Sequence, residues 1–167
     1  MERQASRRFV AVGVALAVAV MAARSWWLSD AREIRRRLDV LAETASAAGG
    51  ETHIERLARL ARLGEFFTDD VILRKDVSSF VGGRQAVVGL ALQGAAAYGR
   101  MAVSFDEVQI ALTDATTATV YMTMKVSGDN PQTGVPEPRQ VSATLSKING
   151  EWLVSRGEVL RTLEPTP

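Results

Sequence analysis

The chain has 167 residues, of which 47% are hydrophobic and 23% charged, a composition typical of globular rather than disordered proteins. Its net charge of +1 lacks the basic excess of nucleic-acid-binding proteins, so we predict no nucleic-acid partner. The absence of cysteine excludes disulfides, thiolate catalysis and zinc–cysteine sites, and a single histidine, His53, excludes a histidine-rich metal site. We predict no metal and no cofactor.

The N-terminus has the pattern of a membrane segment. A basic tail over residues 1–8 precedes an uncharged apolar run from Phe9 to Ala23. As a helix this run spans only about 22 Å, short of a hydrocarbon core of about 30 Å. Extension of the run to residue 28 predicts a transmembrane anchor over residues 9–28, with a snorkelling arginine and a tryptophan pair at the interface. The predicted membrane-interface residues are Arg24, Trp26 and Trp27.

A cleavable signal peptide is the alternative interpretation of the same segment. Val20 and Ala22 would offer small residues just before a cleavage site at Ala23. We favour the anchor, because a helical pattern starts directly after the paired tryptophans. Arginines flank the span on both sides, but the short basic N-terminus favours a cytoplasmic start. This places the protein in the inner (cytoplasmic) membrane, with its C-terminal domain in the periplasm or otherwise outside the cytoplasm.

A first amphipathic helix is predicted after the anchor. Asp30 and Glu33 are typical of a capping box, and "RRR" (Arg35–Arg37) lies mostly off the apolar stripe, as a solvated face or as a contact with anionic lipid headgroups. Gly49 and Gly50 suit a left-handed turn that ends the helix. The apolar stripe consists of Ile34, Leu38, Leu41, Ala42 and Ala45.

A second helix, "HIERLARLARLGEFF", follows a second capping box formed by Thr52 and Glu55. Its spacing predicts an apolar inner side and an outer side of three arginines. The predicted inner side is Ile54, Leu57, Leu60, Ala61 and Phe67, and the outer side is Arg56, Arg59 and Arg62.

The junction "FTDDVIL" is predicted as a turn over Thr68–Asp70 with a strand starting at Val71. On a strand, the adjacent Asp69 and Asp70 would face opposite sides. A third helix follows in "GGRQAVVGLALQGAAAY". We attribute its Gly89 and Gly94 to close packing on a sheet.

Four long β-type runs make up the second half: "MAVSFDEVQIALT", "ATTATVYMTMKVS", "RQVSATLSKI" and "EWLVSRGEVLRTL". Asn149–Gly150, between the last two, is a strong hairpin signal. Alternation along the second run predicts one apolar face containing Met122 and Met124, with Tyr121 on the other. Helices followed by a meander indicate an α+β fold, with helices on one face of a curved antiparallel sheet.

This order of elements resembles the NTF2-like superfamily, in particular SnoaL-like domains, over residues 29–163, with residues 164–167 as a tail. The resemblance rests on "FFTDDVIL", "GGRQAVVGLA", "FDEVQIALTDATTATVYMTMKV" and "KINGEWLVSRGEV". It implies a cone with a cavity between the helices and the bent sheet, and a homodimer through the sheet. The superfamily includes isomerases and dehydratases, ligand-binding proteins and membrane-anchored assembly subunits of secretion systems.

An enzyme of this fold needs a base and a polarising donor inside the cavity. The candidates are Asp70 as base, with Tyr98 or His53 assisting. Each has a structural explanation that we favour: Asp70 as a junction residue, His53 as an exposed residue of a first helical turn, and Tyr98 as packing. We therefore predict no catalytic residue.

Two classes of function follow. The first is a membrane-anchored, non-enzymatic binding or assembly module of the bacterial cell envelope, with membrane lipid, an envelope protein complex or a small apolar ligand as partners. The second is a small-molecule isomerase or dehydratase that uses Asp70, or a secreted protein that binds an apolar ligand in the cone.

Overall fold

The computed structural model describes residues 28–74, 79–98, 100–128 and 138–162. The chain divides into two compact units, Met1–Ile34 and Arg35–Pro167. The described residues of the first unit, 28–34, are helical. Most of the predicted anchor, including Arg24, Trp26 and Trp27, lies outside the described residues. Within the described ranges, no helix is both long enough and apolar enough to cross a membrane.

Three helices lie in the described part of the chain: α1 over residues 28–45, α2 over His53–Gly64 and α3 over Arg84–Tyr98. Since α1 already includes residues 28–30, the prediction that Asp30 caps its N-terminus is wrong. The capping box of α2 is confirmed, because the Thr52 N–H donates to the Glu55 carboxylate at 2.8 Å and the Glu55 N–H donates to Thr52 Oγ1 at 3.3 Å.

Helix α2 buries only part of its predicted inner side: Leu60 is 3% exposed, as predicted. Arg59 is only 8% exposed, whereas Ile54 is 79% and Leu57 51% exposed. The reason is a partner outside the helix: the Arg59 guanidinium binds the Glu51 carboxylate at 2.9 Å and donates to the Thr44 carbonyl at 3.2 Å. This pairing turns the arginine inward and exposes part of the apolar stripe.

The six described strands form one sheet in the order β2-β1-β6-β5-β4-β3. Their bounds are β1 Phe67–Arg74, β2 Phe80–Gly82, β3 Met101–Leu112, β4 Thr117–Gly128, β5 Arg139–Ile148 and β6 Glu151–Thr162. The four long strands confirm the prediction, but the sheet is not wholly antiparallel, because β1 pairs with β6 in parallel. The predicted turn at Thr68–Asp70 is also wrong, since β1 already begins at Phe67.

A two-residue turn and the alternation of buried and exposed side chains position the long strands. Asn149 and Gly150 both have positive φ, 52° and 87°, as a two-residue hairpin requires. On β4, Ala118, Val120 and Met122 are buried while Tyr121 is exposed, which confirms the predicted faces. Leu38 and Leu41 of α1 are buried too, at 2% and 7% exposure.

Candidate functional site

A cavity of about 210 Å³ lies between α1 and the apolar face of the sheet. Leu38 and Leu41 line it on the helical side. Every described strand except the short strand β2 contributes residues to the other walls. The sheet residues that line it include Phe67, Leu73, Phe105, Met122, Met124, Val141, Ala143, Val154 and Val159.

Irregular strand pairing bends the sheet around this cavity. Strand β6 shifts register against β5 between Gln140 and Val141 and again between Thr144 and Leu145. Strand β1 shifts against β6 between Phe67 and Ile72. Such bulges increase local bend and twist, and here they curve the strands whose side chains form the cavity wall.

Gly157 lets β1 approach β6 closely beside the cavity. A Cβ atom on Gly157 would lie 2.8 Å from Leu73 Cδ2, shorter than any ordinary contact. Leu73 and Gly157 are register partners, and both border the cavity. Gly157 is not among the residues predicted from the sequence, although a glycine inside a strand indicates close approach of another group.

The exposed surface of the cavity is almost entirely carbon. Arg74 and Glu158 also border it, as partners in the parallel pairing of β1 and β6. Each follows a residue of the cavity face, Leu73 or Gly157, so alternation directs its charged end toward the other side of the sheet. The residues described here therefore place no carboxylate or imidazole inside the cavity.

The two aspartates of the junction, Asp69 and Asp70, are both exposed. Residues 68–71 of β1 stand opposite a single residue of β6, Ser155, so strict alternation is lost there. Asp69 pairs with Arg84 at 3.0 Å, and Arg84 also donates twice to the Phe67 carbonyl, at 3.0 and 2.8 Å. These contacts stabilise the junction between α2 and β1, and they lie outside the cavity.

Neither Asp70 nor His53 lines the cavity. Asp70 is exposed on β1, and His53 is exposed at the first residue of α2. Tyr98 is the last residue of α3, and its side chain lies outside the described part of the chain. In the described ranges, no group of three or more histidine, aspartate and glutamate residues is placed to hold a metal ion.

The opposite face of the sheet is polar. Glu107, which has a φ of 52° at a bulge in β3, accepts a hydrogen bond from the buried Thr123 hydroxyl at 2.9 Å. Its neighbour Asp106 binds Lys125 at 2.8 Å, and this contact raises the pKa of the lysine. Tyr121 is 48% exposed on the same face. The homodimer through this face stays a prediction.

No protein-family profile matches the chain, and no curated protein is detectably similar to it in sequence. Solved structures are similar in fold. A proposed scytalone dehydratase from Novosphingobium aromaticivorans superposes with a TM-score of 0.67 at 16% identity, covering 84% of this chain and 88% of that one. An NTF2-like protein with a cystatin-like fold from the same organism gives 0.65 at 20% identity, covering 83% and 86%.

An NTF2-like protein of unknown function from Pseudomonas putida gives a TM-score of 0.63 at 12% identity, covering 84% of this chain and 98% of that one. At these identities the likeness establishes the fold and nothing about activity. Three described helices, a curved six-stranded sheet and these neighbours agree with the resemblance found in the sequence. The described chain therefore has an α+β, cystatin-like fold similar to that of these NTF2-like proteins.

Proposed function

We propose that this protein is a non-enzymatic binding module whose cone cavity holds a small apolar ligand. The observation that carries the proposal is the wall of the cavity, which is carbon almost throughout. Proton transfer needs a side chain that can donate or accept a proton within reach of the bound molecule. Apart from Arg74 and Glu158, whose charged ends are directed by alternation to the other side of the sheet, the described wall contains apolar side chains, which favour the transfer of an apolar molecule out of water.

The size of the cavity limits the ligand. An apolar protein cavity of about 150 Å³ can bind benzene, whereas pockets for drug-sized molecules have volumes of roughly 300–1,000 Å³. At about 210 Å³ this cavity fits a single small ring or a short branched chain. Part of a longer molecule would remain outside the cavity.

Methionine methyl groups provide a direct test. Met122 and Met124 line the cavity, so ¹³C-methyl NMR of the full chain titrated with benzene or toluene should show saturable shifts of their signals. Ala143→Leu, which adds bulk at a buried wall position, should abolish the shifts. Ala111→Leu, an exposed position on β3, is the control and should leave them unchanged. Wild-type signals that do not respond to any apolar probe would refute the proposal.

The proposed scytalone dehydratase among the similar structures raises the enzymatic alternative. In this chain, the predicted base Asp70 is exposed and does not border the cavity, which disfavours that alternative. A measurement of turnover distinguishes the two functions. Turnover of an apolar hydroxylated compound that is lost in Asp70→Asn would favour the enzyme over the binding module.

We further propose that residues 9–28 hold the module at the cytoplasmic membrane, with the domain on the outer side. The support is the apolar run with its flanking arginines and tryptophans. The intact mass of the protein recovered from membranes tests this directly. An uncleaved chain in the membrane fraction supports the anchor, and loss of the residues before Ala23 would replace it with a secreted form.

A further inference from the structure

Three consecutive arginines of α1, Arg35–Arg37, lie next to the two leucines that line the apolar cavity from the helical side. Successive residues of a helix are about 100° apart around its axis, since 3.6 residues make one turn. Leu38 and Leu41 therefore share one stripe, which Arg35 flanks on one side and Arg37 on the other. Arg36 lies on the opposite side of the helix and is exposed, whereas Leu38 is 2% exposed.

Arg35 contacts the edge strand β3. Its Nη2 donates to the Val108 carbonyl at 2.7 Å. Val108 belongs to the bulge of β3, where the register against β4 shifts between Asp106 and Gln109. A bulge leaves its extra residue without a regular partner in the ladder. The irregular stretch of β3 thus provides the acceptor for one side of α1.

Arg37 contacts residues at the starts of β1 and β6. Its Nη2 donates to the Glu65 carbonyl at 3.2 Å and to the Glu151 carboxylate at 3.3 Å. Its guanidinium carbon also lies 5.2 Å from the centre of the Phe66 ring. Because the Glu151 side chain is 65% exposed, the ion pair alone contributes little. The carbonyl and the ring therefore carry most of this contact, which joins α1 to the central strands of the sheet.

We propose that Arg35 and Arg37 are positioning residues of the apolar cavity, which hold α1 from both sides and fix Leu38 and Leu41 as the roof of the cavity. The inference rests on the ligand-binding function proposed above. Apolar burial keeps leucine out of water but has no preferred direction, whereas a hydrogen bond to a given carbonyl has one. The two arginines thereby keep the cavity at about 210 Å³ and select a single ring over larger ring systems.

The first test needs no ligand and uses the full chain in a neutral detergent. Phe67 and Phe105 line the same cavity as the roof, so their ring currents should displace the leucine methyl signals of the roof in ¹³C NMR. Arg35→Gln and Arg37→Gln should each broaden these signals or move them toward the values of an unstructured chain.

The second test measures ligand selectivity. Toluene has a single ring and should bind the wild type more tightly than naphthalene, whose two fused rings require the roof to move. The methionine-methyl titration gives both affinities. Arg35→Gln and Arg37→Gln should each lower the ratio of toluene to naphthalene affinity about tenfold, the low end of the effect of losing a hydrogen bond to a charged group. A contact that serves stability alone would lower the melting temperature and leave this ratio unchanged.

Arg36→Gln is the matched control, because it makes the same change between the two positioning residues. In the described chain, the Arg36 side chain has no hydrogen-bond or ion-pair partner. This variant should keep both the roof signals and the affinity ratio of the wild type. Thermal melting followed by circular dichroism establishes that each variant folds. If Arg37→Gln does not fold, Arg35→Gln decides the question, since it removes a single hydrogen bond.

The outcomes separate this inference from the proposed function. Roof signals that stay unchanged in the arginine variants, an unchanged affinity ratio in a chain that binds toluene, or equal effects in Arg36→Gln would overturn it. A wild type that binds neither probe would refute the binding function instead. The ligand-free spectra would then still decide whether the two arginines position the roof.

Discussion

Leu73 Cδ2 lies 2.8 Å from the position that a Cβ atom of residue 157 would occupy, across the parallel pairing of β1 and β6. In Gly157→Ala the leucine end must therefore move. Because only the end of a flexible side chain has to shift, we expect the free energy of unfolding to fall by about 1 kcal/mol. Leu73 borders the cavity, so its volume and its affinity for benzene should fall as well. Denaturant unfolding and the methionine-methyl titration measure the two effects.

Gly89→Ala is a suitable control for that variant, since it makes the same change at a position with open space around it. It should leave the benzene affinity unchanged. An unaltered affinity in Gly157→Ala as well would mean that Leu73 does not shape the cavity.

Removal of only one partner of the buried Arg59–Glu51 pair should strongly lower the free energy of unfolding. Arg59→Met leaves the Glu51 carboxylate without its partner, with an expected loss of about 3–5 kcal/mol in unfolding free energy. The double variant Arg59→Met/Glu51→Leu removes both charges and should recover much of that loss. Urea denaturation of the single and double variants forms a double-mutant cycle. Arg62→Met, at an exposed arginine of the same helix, should change stability by less than about 0.5 kcal/mol.

Helix α3 should be stabilised by alanine at either of its two internal glycines. A Cβ atom at Gly89 or Gly94 meets nothing within 4 Å, so the predicted close packing on the sheet is wrong. Glycine inside a helix costs about 0.5–1 kcal/mol relative to alanine. Gly89→Ala and Gly94→Ala should each raise the melting temperature. A decrease in either would indicate that the glycine makes a contact in a ligand-bound or assembled form.

The capping box of α2 should make stability depend on pH. Hydrogen bonds from the backbone and side chain of Thr52 lower the pKa of Glu55. A lowered folded-state pKa means that the contribution is present above the unfolded-state pKa and is lost as the pH falls through the folded-state value. Glu55→Gln should therefore melt at a lower temperature than the wild type at neutral pH.

The difference between these two proteins should shrink as the pH is lowered through the acidic range, where Glu55 becomes protonated in the wild type. Thermal melts at a series of pH values test this. A difference that stays constant at all pH values would contradict the assignment.

The features that the sequence predicts well are those set by neighbouring residues. The two-residue turn at Asn149–Gly150, the alternation along β4 and the capping box at Thr52 each depend on a few adjacent positions. The features that the sequence predicts badly depend on contacts between residues that are not neighbours in the sequence. Arg59 turns inward because Glu51 and the Thr44 carbonyl receive it, and no periodicity within α2 contains that information.

The candidate sites show the same division. Alternation identified Met122 and Met124 as residues of an apolar face, and both line the cavity. The exposure of Asp70 depends on the register shift between β1 and β6, which arises from pairing across more than 80 residues.

The position of β6 in the sheet has a consequence for how the domain is made. This strand is the last of the six described strands in sequence, yet it lies between β1 and β5 and joins the β2–β1 pair to the rest of the sheet. A nascent chain still lacking residues 151–162 would expose the apolar edges of two incomplete sheets. We therefore expect the domain to complete its sheet only after residues 151–162 have been synthesised, and truncations that remove these residues to leave aggregation-prone intermediates.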